Sequence, residues 1–339
     1  MPISRLELVD FTAFHEASLK FAPGINVLLG ANATGKTHVM KVLYAALKEL
    51  GSGISSLAPN DRLKEKLARV FRPDDLSVGR LGHRRPGQKR AKVTIGVDKG
   101  ELAFGISTKT SALGITKNTI PEPPACIFLP SREALAMHEG FVASYTKREL
   151  AFDETYYDLA VALSAKAVRG TKPSLISQIL DEMEGVLDGK VVFEGDRFYV
   201  RGDGGSKLEA HLLSEGMRKI ASVVRLLANN ELRVKGVLFW DEPEANLNPT
   251  LSIVVVNALE RLASQGIQVF VATHDYLVSE TLGLLASKPN APEMRFFSFQ
   301  RSEGESGVRV AGADTLDDLP ENLIRAEFLR HYDRVRGLE

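Results

Sequence analysis

The sequence predicts an α/β fold of the P-loop class, and three observations carry that reading. The first is Gly30-Ala31-Asn32-Ala33-Thr34-Gly35-Lys36-Thr37, a complete G-x-x-x-x-G-K-[ST] phosphate-binding loop. The second is its setting. The apolar run Ile25 to Leu29 leads into the loop as a strand, and Lys36 to Leu50 leaves it as a helix. The third is the alternation of helix and buried strand that follows Ser214, which asks for a parallel sheet.

Taken in order, Ile3 to Leu8 and Ser18 to Phe21 read as strands, and Pro23-Gly24 turns the chain into the strand before the loop. The helix after the loop ends near Gly51-Ser52-Gly53. Asp61 to Phe71 is a second helix, with Leu63, Leu67 and Val70 on one face. Ala91 to Val97 and Glu101 to Ser107 form a hairpin turning at Asp98-Lys99-Gly100. Pro121 to Pro124 is a rigid break before the apolar strand Ala125 to Leu129. Glu133 to Leu187 reads as mostly helical, interrupted at Gly140, Gly170 and Pro173, so no long heptad seam runs through it. A hairpin follows, Val191 to Phe193 and Arg197 to Arg201, turning at Gly195-Asp196. Met217, Ile220, Val224 and Leu227 keep helical spacing after Ser214. Gly236 to Trp240 and Ile267 to Ala272 are buried strands flanking the helix Pro249 to Ser264. Leu319 to Arg336 reads as one or two amphipathic helices.

The 339 residues suit one core domain, residues 1–339, with a β-rich insertion at about 72–120 and a helical insertion at about 131–188. Apolar content of 44% and charged content of 25% are those of a globular protein. The formal charge is zero, so any nucleic-acid contact rests on a local patch. Cys126 is the single cysteine and sits in an apolar run, which excludes an internal disulfide and makes it a buried thiol. With no apolar stretch of spanning length and no signal-peptide pattern, the expectation is a cytoplasmic chain.

The residue types fit phosphate chemistry. Backbone N–H groups of Gly30 to Gly35 can wrap a polyphosphate at a helix N-terminus. Lys36 can reach the β- and γ-phosphates, and the Thr37 hydroxyl can hold Mg²⁺. Val237-Leu238-Phe239-Trp240 is a buried strand ending in Asp241-Glu242, where ligands bind in open α/β sheets. Asp241 can hold Mg²⁺ through water, and Glu242 can orient and deprotonate the attacking water. The next buried strand ends in Thr273-His274-Asp275, where His274 can hydrogen-bond the γ-phosphate or simply cap the following helix. Ser214-Glu215-Gly216 opens a helix one element upstream of Asp241. Taken alone it is an ordinary helix cap.

In this order the motifs resemble the ABC-type ATPases, in the branch shared by SMC, DNA-repair and OLD-like ATPases, including bacterial AAA-annotated ATP-binding proteins. Gly30 to Thr37 matches the Walker A loop. Leu213-Ser214-Glu215-Gly216-Met217 resembles the ABC signature. Asp241 and Glu242 match Walker B and the catalytic glutamate. Asp241 to Pro249 resembles the D-loop region, and His274 matches the switch histidine. The likeness spans most of the chain. It implies an ABC-type ATPase head with a mixed β lobe and a helical insert. It also implies ATP and Mg²⁺ as ligands, with two heads closing on two nucleotides in an ATP-dependent homodimer. Lys36, Thr37, Asp241, Glu242 and His274 of one chain would then face Ser214 and Gly216 of the other. Glu215, Met217 and Asn248 depart from the pattern, and no Q-loop glutamine follows the strand ending at Leu129; Pro130-Ser131-Arg132 stands there.

For what the ATPase acts on, the sequence offers one local feature. Arg80, Arg84, Arg85, Lys89, Arg90 and Lys92 crowd together and suit phosphates of DNA or RNA, or else a solvated loop. The resemblance implies control of an effector protein or of nucleic acid, in DNA repair or phage defence. An ATP-gated DNA clamp without an effector is the alternative. A transporter subunit is disfavoured by the inserted hairpins, the Pro-Ser-Arg element and the missing glutamine.

Overall fold

The computed structural model describes residues 1–52, 56–83, 90–167, 174–301, 307–320 and 322–337. Strands β1 (Ile3–Phe11) and β2 (Phe14–Lys20) form a hairpin, and β3 (Ile25–Gly30) runs into the phosphate loop and α1 (Lys36–Leu50). After α2 (Pro59–Phe71) come β4 (Arg90–Val97), β5 (Gly100–Ser107) and β6 (Leu113–Asn118). These pair antiparallel with the first hairpin in the order β2-β1-β4-β5-β6. The expected β-rich insertion thus shares one sheet with the N-terminal strands. Of the structure's differences from the expected elements here, β2 begins four residues early and β6 is additional.

The chain crosses next through β7 (Cys126–Leu129) into α3 (Phe141–Thr146), α4 (Glu154–Ser164) and α5 (Ser174–Leu187). Residues 133–140 and 147–153 are not helical, so the insert is less helical than its composition suggests. Gly170 and Pro173 lie outside the described residues, as does Gly53. A three-stranded sheet follows, β8 (Lys190–Glu194), β9 (Arg197–Arg201) and β10 (Lys207–Glu209). Then α6 (Glu215–Ala228), β11 (Val237–Asp241), α7 (Pro249–Ser264), β12 (Gln268–Thr273) and α8 (Tyr276–Ala286) complete the α/β alternation. The chain ends with β13 (Met294–Arg301), β14 (Val308–Ala313) and the single helix α9 (Leu323–Arg336).

The central sheet has the order β14-β13-β3-β12-β11-β7, parallel except for the antiparallel edge strand β14. Its inner strands β3, β12 and β11 are buried on both faces and divide their side chains by alternation. Val27, Leu29, Leu238, Trp240, Val269 and Val271 join a core with α4 to α8. Leu28, Phe239, Phe270 and Ala272 join a second core with α1, α2 and the antiparallel sheet. Helix α1 lies in that second core and buries almost every side from Val39 to Leu47, which explains its near-continuous apolar sequence. Stacked Phe239 and Phe270, 4.9 Å between centroids, sit beneath it.

Two buried amides tie the sheets together. Gln268 accepts from the Ile3 amide at 2.7 Å and donates to the carbonyls of Ile3 and Ala22 at 2.8 and 2.7 Å. Asn26 exchanges two 2.9 Å bonds with the Ala22 backbone. Each satisfies backbone groups that would otherwise be buried unpaired. Cys126 is buried, as its apolar run implies, with its thiol pushed up to about 12 chiefly by burial.

Candidate functional site

The phosphate loop is held from two sides by close packing. A Cβ on Gly30 would lie 2.4 Å from the Phe299 carbonyl oxygen of β13. Gly35 has φ +88°, and a Cβ there would lie 2.7 Å from the Phe14 ring. Only glycine meets both demands at Gly35. The Thr34 hydroxyl donates to the Ala31 carbonyl at 2.8 Å and closes the loop, leaving Ala31, Asn32 and Ala33 exposed. The buried Lys36 ammonium donates to the carbonyls of Gly30 at 2.7 Å and Ala31 at 2.9 Å. Burial lowers its pKa, opposed by the charges of Asp241, Glu242 and Glu244. A cation held only by neutral carbonyls beside uncapped helix amides suits a polyphosphate.

Thr37 and Asp241, far apart in sequence, meet at the ends of α1 and β11. The Thr37 hydroxyl donates to Asp241 Oδ2 at 2.8 Å. Burial pushes the Asp241 carboxyl up to about 6, against the Thr37 bond and the cations Lys41 and Lys36. A hydroxyl and a carboxylate converging here fit Mg²⁺, which takes its remaining ligands from phosphate oxygens and water. Among the described residues no cluster of three or more His, Cys, Asp or Glu forms a separate metal cage.

Beyond Asp241 the backbone turns sharply. Glu242 has φ +48°, and its amide donates to the Ala272 carbonyl at 2.9 Å. This places its carboxylate 3.2 Å from His274 Nδ1, both side chains partly open. The helix cap at this point is Asp275, whose carboxylate accepts from the Val278 amide at 2.8 Å; His274 does not cap α8. Two further bonds hold this corner, one of them from Lys219, which the sequence motifs do not single out. Thr273 donates to Glu244 at 2.6 Å, and the buried Lys219 ammonium donates to the Glu242 carbonyl at 3.1 Å. The one signal for Lys219 in the sequence is a lysine on the otherwise apolar face of α6.

Ser214 caps α6, accepting from the Met217 amide at 3.4 Å, and is exposed. Gly216 is buried against the loop after β11; a Cβ there would lie 2.6 Å from Leu247 Cδ2 and 2.8 Å from the Asn246 carbonyl oxygen. Lys219 and Gly216 thus dock the start of α6 on the backbone that carries Glu242. Among the described residues no hydrogen bond or ion pair joins Ser214 or Gly216 to residues 30–37. Asn248 has a local role, capping α7 through the Leu251 amide at 2.9 Å.

Of the basic run, Arg80 pairs with Asp74 at 2.7 Å, and Arg90 and Lys92 lie exposed on β4. Arg84, Arg85 and Lys89 lie outside the described residues.

Residues 25–280 match the family described as "AAA domain, putative AbiEii toxin, Type IV TA system". The chain belongs to this family. Its likeness to segments of RecF and its SMC-head fold accord with the resemblance of its motifs to the ABC-type ATPases. It is similar to the DNA replication and repair protein RecF of Acidothermus cellulolyticus, 48% identical over 48 residues, 14% of this chain and 13% of that one. It is also similar to RecF of Streptococcus suis, 30% identical over 103 residues, 30% of this chain and 26% of that one. The chain therefore matches only about a quarter or less of these relatives' length. In fold this AAA-domain ATPase resembles an Smc head bound to the C-winged helix domain of ScpA, with TM-score 0.58 at 13% identity, covering 94% of this chain and 99% of that one. It also resembles an Smc head with an extended coiled coil bound to the C-terminal domain of ScpA derived from Pyrococcus furiosus, with TM-score 0.52 at 12% identity, covering 98% and 99%. No helix among the described residues is long and apolar enough to cross a membrane.

Proposed function

We propose that the chain hydrolyses ATP to ADP and phosphate as a nucleotide-gated homodimer with composite sites. The observation that carries this reading is the separation of the site's two halves. The loop, with Lys36, Thr37, Asp241, Glu242 and His274 around it, is one half, and the exposed Ser214 at the start of α6 is the other; among the described residues no hydrogen bond or ion pair joins Ser214 to residues 30–37. A second copy supplies the missing half to each.

In this reading the amides of Gly30 to Gly35 hold the β- and γ-phosphates, and Lys36 turns from its carbonyl partners to the phosphate oxygens. Mg²⁺, when bound, neutralises phosphate charge. Thr37 and Asp241 would hold it, the hydroxyl turning from the carboxylate to do so. Glu242 orients the attacking water and takes its proton, while His274, bonded to Glu242, senses the γ-phosphate. Ser214 and the Gly216 amide of the second copy stabilise charge on the γ-phosphate. ATP touching both chains acts as glue, and hydrolysis opens the dimer.

The client is proposed to be DNA, because RecF relatives are named for DNA replication and repair and Lys92 and Arg90 stand exposed on the antiparallel sheet. The family description names a toxin and a toxin–antitoxin system, which favours a protein effector, as in phage defence, as the second reading. The decisive experiment is light scattering of Glu242→Gln with and without Mg-ATP. A shift from monomer to dimer only with nucleotide supports the reading. A mass indifferent to nucleotide overturns the composite site. Salt-sensitive DNA binding that needs ATP then separates DNA from a protein client.

A further inference from the structure

Helix α4 is anchored at both ends, besides the bonds of its Asp158 to Tyr44 and Lys66. At its N-terminus Asp153 caps the helix, accepting from the Thr155 amide at 2.9 Å, and the same side chain accepts from Lys41 Nζ of α1 at 2.8 Å. Lys41 stands one turn beyond Thr37, and its charge acts on Asp241. At the other end, the buried Arg225 of α6 donates to the carbonyls of Leu163 at 2.9 Å and Ala165 at 2.6 Å. Asn229, also buried, donates to the Ala162 carbonyl at 2.7 Å. Each anchor matches the helix dipole, acid at the start and cation at the end. Arg225 is desolvated here, which lowers its pKa. A buried guanidinium stripped of these carbonyls would be left uncompensated, so breaking the joint is costly.

These contacts place α4 between the two helices that open the site's halves, α1 after the phosphate loop and α6 after Ser214. We propose that α4 is a strut that transmits occupancy of the phosphate and metal site, through Lys41 and Asp153, to the signature helix α6 through Arg225 and Asn229. The inference rests on the ATP reading above. The physical step is electrostatic. Thr37 and Asp241 would hold Mg²⁺, and an Asp241 carboxylate taken up in that way would act less on Lys41, leaving Asp153 as its acidic partner. That tightens the N-terminus of α4, and the helix carries the restraint to Arg225. By linkage, a client that moves α4 changes Mg-ATP affinity by the same factor.

The test is amide hydrogen exchange on the full chain, with Mg-ATP binding read separately by a fluorescent ATP analogue. Mg-ATP is expected to slow exchange in α4 and the first turns of α6 by about fivefold or more. In Lys41→Met the analogue still binds, but protection no longer reaches α4 and α6. Lys41→Arg, which keeps the cation, restores it. Arg225→Gln confines the protection to α4. Analogue binding with no change in α4, or equal protection in Lys41→Met, overturns the strut. Failure of the wild-type chain to bind the analogue overturns the ATP reading itself, and the strut with it.

Discussion

Glu242 and His274 face each other from the ends of two adjacent parallel strands, Oε1 to Nδ1 at 3.2 Å. The pairing depends on the left-handed turn at Glu242, which lifts the carboxylate off the strand axis toward its neighbour. Removing the imidazole frees Glu242 to rotate without touching the phosphate loop. His274→Ala should therefore bind Mg-ATP within a few-fold of wild type and lose about 10²-fold in single-turnover hydrolysis. Equal loss of binding and turnover would instead make His274 a plain binding group.

Asp241 sets a pH dependence whose sign follows from its burial. Its carboxyl rises from 3.8 to about 6, chiefly by desolvation. The folded chain thus holds the proton more tightly than the unfolded one. Stability from this group is greatest below about pH 4, declines as pH rises toward 6, and is flat above, a span on the order of 3 kcal/mol at most. Asp241→Asn, free of that cost, should be more stable than the nucleotide-free parent at pH 8, with the advantage shrinking toward pH 4.5. Urea midpoints at the two pH values check it. The same variant should lose the Mg²⁺ dependence of ATP binding, a trade of stability for a poised site.

The parts of the molecule legible in the sequence are those whose chemistry is local. The phosphate loop announces itself because glycine at residues 30 and 35 is demanded by Phe299 and Phe14, and strands β3, β11 and β12 because burial on both faces leaves unbroken apolar runs. Strand β2 reads late because His15 and Glu16 are exposed in succession, which breaks the alternation that Phe14 and Ala17 would otherwise complete. Strand β13 has no clear strand signature because Ser298 and Gln300 interrupt its aromatic run without marking one face as polar. The anchors of α4 have no signature at all. Lys41, Arg225 and Asn229 read as surface residues of amphipathic helices, and the carbonyls and carboxylate they hold are distant in sequence.

Tyr44 illustrates such a distant contact in the core. It is fully buried in α1, edge-on to Phe128 and Phe239, and its hydroxyl donates to Asp158 of α4 at 2.6 Å. Lys66 of α2 donates to the same carboxylate oxygen at 2.6 Å, so Asp158 keeps a partner if the hydroxyl is lost. Tyr44→Phe preserves the packing and should cost about 1–2 kcal/mol, read as a shifted urea midpoint at unchanged slope. A change of slope would mean that α4 had detached.

Gly216 forms a close joint between α6 and the loop that carries Glu242. The space for a Cβ is taken by the Asn246 carbonyl oxygen at 2.8 Å and Leu247 Cδ2 at 2.6 Å. The leucine side chain can swing aside, but the carbonyl is backbone and moves only with its loop. Gly216→Ala therefore pushes the start of α6 outward, at a cost of about 1–3 kcal/mol in stability. It leaves residues 30–37 in place, because among the described residues no hydrogen bond or ion pair joins Ser214 or Gly216 to them. The expected outcome is a chain that binds a fluorescent ATP analogue normally but, combined with Glu242→Gln, no longer becomes a dimer with Mg-ATP. Loss of nucleotide binding in Gly216→Ala would mean that the start of α6 supports the phosphate loop of its own chain. Dimerisation at wild-type strength would mean that Ser214 and Gly216 take no part in the partner's site.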